Sequence, residues 1–229
     1  MESHHKKSGS NMKDVILGGQ DGLVNVLGVI LAVAVATYDT KIVIIAGLAA
    51  AFAESISMAA VAYTSTKAAL SYCLSQIKNE EQEIKNNPTV TKKEIYDVYY
   101  KKGFKGPLLN QVIKKITSNK QVWLNTLMSE QHCLKEESYK NPLQIAFVVG
   151  ISAMVGSLIP LMSFFFFDVK TSIIISIIFS ALALFVTGAI KAKLTVGNWL
   201  RSGFEILGIG MTAALVGYLI GILFGNVNF

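Results

Sequence analysis

The sequence has few charged residues and few cysteines. Asp, Glu, Lys and Arg make up only 16% of the 229 residues, whereas 52% are apolar and the mean hydropathy is +0.48. Soluble domains rarely combine these values, so the composition favours a polytopic membrane protein. The two cysteines form no CxxC or Cys/His motif, which argues against a zinc knuckle or a disulfide framework. The first dozen residues lack the apolar core of a signal peptide, so we expect the first span to be an uncleaved anchor.

Five continuous apolar segments are each long enough to cross about 30 Å of hydrocarbon as a helix. These segments are residues 15–38, 42–63, 143–167, 171–190 and 204–224. They do not alternate between polar and apolar residues, which argues against the strands of a barrel. The sequence therefore predicts an all-α membrane protein with five transmembrane helices, two before and three after a helical insert. The predicted parts are a polar tail at 1–14, transmembrane helices 1–2 at 15–64, a helical insert at 65–142, and transmembrane helices 3–5 at 143–229.

The distribution of basic residues predicts the orientation. All of the 21 Lys and Arg residues except Lys41 and Lys170 fall on one side of the predicted membrane. Because basic residues are concentrated in cytoplasmic segments, the N-terminus and the insert are expected in the cytoplasm and the C-terminus on the opposite side. Lysines beside anionic headgroups also account for the net charge of +6, so no nucleic-acid partner is predicted.

The insert has the apolar spacing of amphipathic helices. The second span is expected to continue as one helix up to Pro88. A second helix should begin near Thr91, with Thr89 or Thr91 as its cap, and end near Gly103. Two more helices are predicted at about 108–117 and 121–137.

Asp21 and Glu54 are carboxylates inside predicted spans, where a charged side chain costs about 3 kcal/mol and is rarely without a function. Asn25 follows Asp21 by one helical turn, and Met58 follows Glu54 by one turn. A carboxylate with a thioether suits a divalent transition metal better than Ca²⁺ or Mg²⁺. Since metal binding would release protons from buried carboxyl groups, metal–proton exchange is a further expectation. The alternative is that the acids are protonated and that they and Met58 serve in helix packing.

The insert carries a second set of candidate metal ligands. Glu80 and Glu83 lie near the end of the long second helix, and Glu94 follows on the next one. Met128 and His132 share a helix face, and Glu130 lies on a neighbouring face. The alternative is a set of solvated faces of amphipathic helices.

Several stretches together resemble a known family. They are GGQDGLVNVLGV, AGLAAAFAESISMAAVAYTSTKA, EEQEIKNNP, WLNTLM and GFEILGIGMTAALVGYLIG. The chain resembles the vacuolar iron transporter (VIT) family of iron and manganese transporters over nearly its whole length. The resemblance implies a homodimer of five-span subunits that exports Fe(II), often also Mn(II), from the cytoplasm in exchange for protons. It implies no cofactor, because the metal is the substrate. The membrane would be vacuolar or another endomembrane in a eukaryote and the plasma membrane in a prokaryote.

The resemblance also carries over to individual positions. Asp21 and Met58 match the family's residues in the first two spans, and Glu80, Glu83 and Glu94 match glutamates of its cytoplasmic domain.

Three positions depart from the family pattern. The usual glutamate of the second span falls at Ala50, and Glu54 stands one turn further on. Thr91 replaces one member of the second glutamate pair. A methionine–glutamate pair near Trp123 corresponds either to Leu127 with Gln131 or to Met128 with His132. The cytoplasmic site is therefore expected to have fewer metal ligands than is usual in the family.

Two other functional classes remain open at this point. One is a metal-sensing or metal-binding membrane protein without transport activity. The other is a membrane-embedded enzyme, which the absence of an HExxH motif or a nucleophile–base pair argues against.

Overall fold

The computed structural model describes residues 3–130, 141–194 and 197–225, and within these ranges every regular element is helical. The α-helices are α1 Ser3–Thr37, α2 Thr40–Asn86, α3 Pro88–Lys101, α4 Gly106–Thr117, α5 Lys120–Glu130, α6 Pro142–Leu161, α7 Val169–Leu194 and α8 Trp199–Gly225. A 3₁₀ turn, Met162–Phe165, follows α6. The prediction of an all-α protein is confirmed.

Five helices of the described ranges are long and apolar enough to cross a membrane. They cover Met12–Thr37, Thr40–Asn86, Pro142–Phe165, Val169–Lys193 and Trp199–Gly225. The five apolar spans predicted from the sequence are therefore present. The first helix begins at Ser3, within the predicted polar tail, so α1 is longer than the apolar segment that identified it.

The chain folds into two compact units. The span unit contains Met1–Tyr63 and Pro142–Phe229, and the insert unit contains Thr64–Asn141. Helix α2 runs without a break from the first unit into the second and ends at Asn86, directly before the Asn87-Pro88 turn. The end of this helix agrees with the sequence-based expectation, because proline disfavours a helical residue before it.

Helix α1 is the packing centre of the span unit. Its buried side chains recur every three or four residues and form one stripe. They are Leu23, Val26, Leu27, Ile30, Leu31 and Ala34. This stripe takes part in three apolar clusters, which it forms with residues of α2, α6, α7 and α8.

Glycines let α1 approach α6 and α8 at backbone contact. A Cβ added at Gly156 of α6 would lie 2.0 Å from the Gly19 carbonyl oxygen. A Cβ added at Gly217 of α8 would lie 2.2 Å from the Gly28 carbonyl oxygen. Small residues at helix contacts allow such close packing in membranes, where van der Waals contact is a main source of helix association.

Serine hydroxyls connect the end of α6 to α7. The hydroxyl groups of Ser163 and Ser172 each donate to the other residue's carbonyl oxygen, both at 3.0 Å. The Ser176 hydroxyl donates to the Pro160 carbonyl oxygen at 2.8 Å, at the end of α6 where carbonyl groups lose their helical partners. All three serines are buried, and their polar atoms are satisfied inside the fold.

Two aspartates between apolar helices serve as N-terminal caps. The Asp39 carboxylate accepts hydrogen bonds from the backbone N–H groups of Lys41 and Ile42 at 2.8 and 3.3 Å. The Asp168 carboxylate accepts from the Thr171 hydroxyl at 2.8 Å and from its backbone N–H at 3.2 Å. These hydrogen bonds, the hydroxyl first, hold the pKa of Asp168 below its usual value because they stabilise the charged form. Capping thus explains both acids.

The insert unit has its own apolar core, which α3, α4 and α5 form with the end of α2. Its buried residues are Ile84, Ile95, Leu109, Ile113, Ile116, Trp123, Leu124, Leu127 and Met128. The predicted start of α3 is wrong. Pro88 is the first helical residue, where its fixed φ is favourable, and Thr91 is buried with its hydroxyl donating to the carbonyl oxygens of Asn87 and Pro88. Neither Thr89 nor Thr91 therefore caps this helix.

The close contact of Gly217 in α8 with the backbone of α1 leads to a prediction about stability. We expect Gly217→Ala to lower the midpoint of thermal unfolding in detergent, because overpacking of this kind costs about 1–3 kcal/mol. The control is Gly208→Ala on the same helix, where an added Cβ meets nothing within 4 Å. There the midpoint should hold or rise, since alanine is the better helix former. Equal midpoints for the two variants would contradict the packing described.

Candidate functional site

Two carboxyl groups from different helices meet in the span unit. The Glu54 carboxyl on α2 lies within hydrogen-bonding reach of the Asp21 carboxyl and the Asn25 side chain, both on α1. An ionised carboxylate only accepts hydrogen bonds, so a hydrogen bond between two carboxyl groups requires a proton on one of them. The arrangement can therefore accommodate a shared proton or, in its place, a cation.

The packing of α1 and α2 explains why these side chains meet. Asp21 and Asn25 are four residues apart and lie off the buried stripe of α1. On α2, a Cβ at Gly47 would lie 2.9 Å from the Ile30 side chain, so that side chain of α1 reaches the backbone of α2 at this position. Buried Ser55 lies directly beside Glu54, and its carbonyl oxygen lies 3.2 Å from a Cβ added at Gly150 of α6. These contacts hold α2 so that Glu54 faces Asp21.

The carboxyl pair lies at an edge of the span unit rather than in its centre. Asp21 and Glu54 are partly exposed and Asn25 is exposed. Apolar side chains on the opposite side of α2 are exposed as well, with Phe52 at 56% and Ile56 at 68% exposure. One chain alone therefore leaves this part of the first two spans uncovered.

The structure places the other second-span candidates as follows. Met58, one turn after Glu54, is partly exposed. Ala50, where the family resemblance places a glutamate, packs against the apolar cluster that contains Val26 and Ile30. Glu54 is thus the α2 carboxyl that reaches Asp21.

Sequence reasoning had placed Asn25 on the face of Asp21 but had given it no role. The signal was the four-residue spacing, and the contact across to Glu54 adds the carboxamide to the site.

The glutamates of the insert unit do not converge on one point. Glu80 and Glu94 are partly buried, whereas Glu83 is exposed and its carboxylate accepts a hydrogen bond from the Asn87 amide at 3.0 Å. In residues 3–130, 141–194 and 197–225 there is no group of three or more His, Cys, Asp or Glu side chains that could hold a metal ion. The metal-binding role of these glutamates stays a prediction.

The candidates on α5 take part in the fold of the insert unit. Met128 is buried in its apolar core with Trp123. Glu130 forms an ion pair with Lys102. His132 lies outside the described residues, so the Met128–His132 face stays a prediction.

Comparisons with known proteins give one consistent result. A sequence model of the VIT family matches residues 12–222. "Vacuolar iron transporter 1" of Tulipa gesneriana is 29% identical over 95% of this chain and 88% of its own length. "Vacuolar iron transporter 1" of Arabidopsis thaliana is 27% identical over 93% and 86%. "Vacuolar iron transporter" of Plasmodium falciparum is 28% identical over 97% and 85%.

The contact between α1 and α2 can be tested without a transport assay. In a background with both native cysteines changed to serine, we expect Asp21→Cys/Glu54→Cys to be cross-linked within the chain by a short bifunctional thiol reagent, since the ends of the two native side chains meet. The control pair is Asp21→Cys/Phe52→Cys, whose second position is exposed on another face of α2. The measurement is the mobility shift on a non-reducing gel after cleavage between the two helices. Cross-linking of the control pair alone would contradict the described contact.

Proposed function

Because the chain belongs to the VIT family, we propose that it moves Fe(II), and Mn(II) as a second substrate, across a membrane. The match over residues 12–222 and relatives named as iron transporters support metal-ion transport rather than an enzymatic activity. The observation that carries the proposal is the contact between the Asp21 and Glu54 carboxyl groups on two apolar helices. Acids at such positions are costly and are typical of ion pathways.

We infer that the metal ion takes the place of the proton between the two carboxyl groups. Metal ligands must be deprotonated, so binding of M²⁺ at Asp21 and Glu54 releases the shared proton. The carboxamide oxygen of Asn25 and the thioether of Met58 would complete the ligand set. A mixed set of oxygen and sulfur ligands suits Fe(II) and Mn(II) better than Mg²⁺ or Ca²⁺. Protonation from the other side of the membrane would then eject the metal, which makes the protein an antiporter.

A second copy of the chain would complete the pathway. Lipid tails cannot solvate the carboxyl pair, which lies on a partly exposed face of the first two spans. A homodimer that covers this face would enclose the acids of both copies. The translocation path would then run along the interface between the two subunits.

The direction follows from the basic residues. With the N-terminus and the insert unit in the cytoplasm, between two preceding and three following spans, Glu80, Glu83 and Glu94 would collect metal there, with Met128, Glu130 and His132 as further predicted ligands. Transport would run out of the cytoplasm. The names of the relatives favour a vacuolar or other endomembrane location.

The transport prediction concerns purified protein in proteoliposomes. The vesicle lumen is made more acidic than the outside, so that the proton gradient is directed outward. Under this gradient we expect uptake of Fe(II) and Mn(II) in parallel assays that also include Co(II) and Zn(II). Asp21→Asn should reduce the initial rate to roughly a tenth or less, because an amide cannot neutralise a cation that it holds away from water. Asp168→Asn is the matched control, since Asp168 lies between two spans as an N-terminal cap that asparagine can replace, and this change should leave the rate intact. Metal binding without uptake by the wild type would favour the sensor alternative instead.

Proton coupling needs a separate measurement. A pH-sensitive dye inside the vesicles should report alkalinisation when Fe(II) enters, because each metal that binds displaces protons. Glu54→Gln should reduce the dye signal and the metal flux together, since both depend on the same carboxyl group. Metal uptake that leaves the internal pH unchanged would exclude antiport while leaving metal transport itself in place.

A further inference from the structure

A groove with a basic lining lies between α3 and α4 of the insert unit. Its volume is about 730 Å³. Three lysines line it, Lys92 and Lys93 from α3 and Lys114 from α4. Pockets that take small molecules have volumes of about 300–1,000 Å³, so the groove can receive a ligand larger than a single ion.

The spacing of the lining residues shows that two polar helix faces form the groove. Thr89, Lys92, Lys93 and Tyr96 recur at intervals of three and four residues, so they lie on one face of α3. Asn110 and Lys114 of α4 are also one turn apart and line the groove together. Hydrogen-bond donors from both helices therefore surround one space.

The charge of this lining is not balanced. Among the described residues none of these three lysines forms an ion pair, whereas Lys102 of the same unit pairs with Glu130. Asp97 is the acid in the lining, so the groove has three positive charges against one negative charge. The first turn of α3 adds positive potential, because it contains no acidic residue and Asn87 makes no side-chain cap hydrogen bond. Lysines near a helix N-terminus are unfavourable unless an anion is present.

We propose that the α3/α4 groove binds the phosphate groups of a phosphorylated inositol, either as a free soluble compound or as a lipid headgroup. Lysine ammonium groups are common phosphate ligands, and the Thr89, Tyr96 and Asn110 side chains supply neutral donors. The volume suits a small polyol that carries several phosphates better than one inorganic phosphate. All of the lining residues lie in the insert unit, so this site is distinct from the Asp21–Glu54 pair and does not depend on the proposed transport.

The binding test uses the full chain in nanodiscs and inositol 1,4,5-trisphosphate as the soluble probe. Isothermal titration calorimetry with the protein in phosphatidylcholine nanodiscs should show saturable binding of inositol 1,4,5-trisphosphate, with an affinity that falls as the salt concentration rises. A second titration uses nanodiscs that contain phosphatidylinositol 4,5-bisphosphate. Competition there would identify the lipid headgroup as the occupant, and undiminished binding would identify the free compound. The proposal would be overturned if inositol 1,4,5-trisphosphate gave no binding heat in the phosphatidylcholine nanodiscs and the titration were the same in nanodiscs that contain phosphatidylinositol 4,5-bisphosphate.

Charge-matched variants locate the binding. We expect Lys92→Gln/Lys93→Gln/Lys114→Gln to weaken binding at least about tenfold, because it removes the charge-assisted hydrogen bonds to phosphate. The control triple, Lys101→Gln/Lys115→Gln/Lys120→Gln, changes the net charge equally at exposed positions outside the groove lining and should stay within about threefold of wild type. Circular dichroism checks that all variants fold.

A change of the opposite sign completes the test. Asp97→Asn removes the negative charge from the lining and should strengthen binding. Equal losses in the two lysine triples, or no response to Asp97→Asn, would show that the groove is not the binding site.

Discussion

The backbone contact of α1 with α6 and α8 is the constraint on which the span unit depends. Carbonyl groups of α1 occupy the space that side chains at Gly156 and Gly217 would need. These contacts leave α1 little freedom to rotate, because any turn about its axis would bring side chains into backbone. The buried stripe of α1 is therefore fixed, and with it the face that carries Asp21 and Asn25. The position of the acids follows from glycine packing elsewhere on the same helix.

Two sets of polar side chains in the span unit differ in how they are satisfied. Ser163, Ser172 and Ser176 have their hydroxyl groups bonded to carbonyl oxygens, so the fold satisfies them completely. Asp21 and Glu54 face each other, and neither offers the other a donor unless a proton is added. The serines can be explained by stability alone. The acids bond to each other only through an added proton, so stability alone does not explain them, and they remain the candidate site for a proton or a cation.

Local sequence information predicted the elements of the fold but not the contacts between them. The five spans were predicted from the length of the apolar segments. The end of α2 at Asn86 was predicted from Pro88, which affects only the residues next to it. The start of α3 was predicted wrongly because Thr91 looked like a cap, whereas the packing of the insert core buries it inside the helix. The contact of Glu54 with Asp21 was expected only as a shared pathway, since the rotation of α2 depends on tertiary packing at Gly47 and Ser55.

The predicted metal ligands of the insert unit differ in how firmly the fold holds them. A surface ion pair that involves a glutamate can be broken at a low cost in free energy, which would make the carboxylate available to a metal ion. The Lys102–Glu130 pair is exposed at 46% and 27%, and pairs of this kind contribute about 0–1 kcal/mol. Met128 is different, because withdrawing a methionine from the core costs about 1.5–3 kcal/mol of burial energy. A metal ion collected by this unit would therefore first meet single surface carboxylates, such as that of Glu83 or that of Glu130. Oxygen ligands of that kind bind a divalent metal less selectively than a set that includes sulfur. The discrimination between metals would then fall to the site in the span unit, where Met58 lies one turn from Glu54 and only partly exposed.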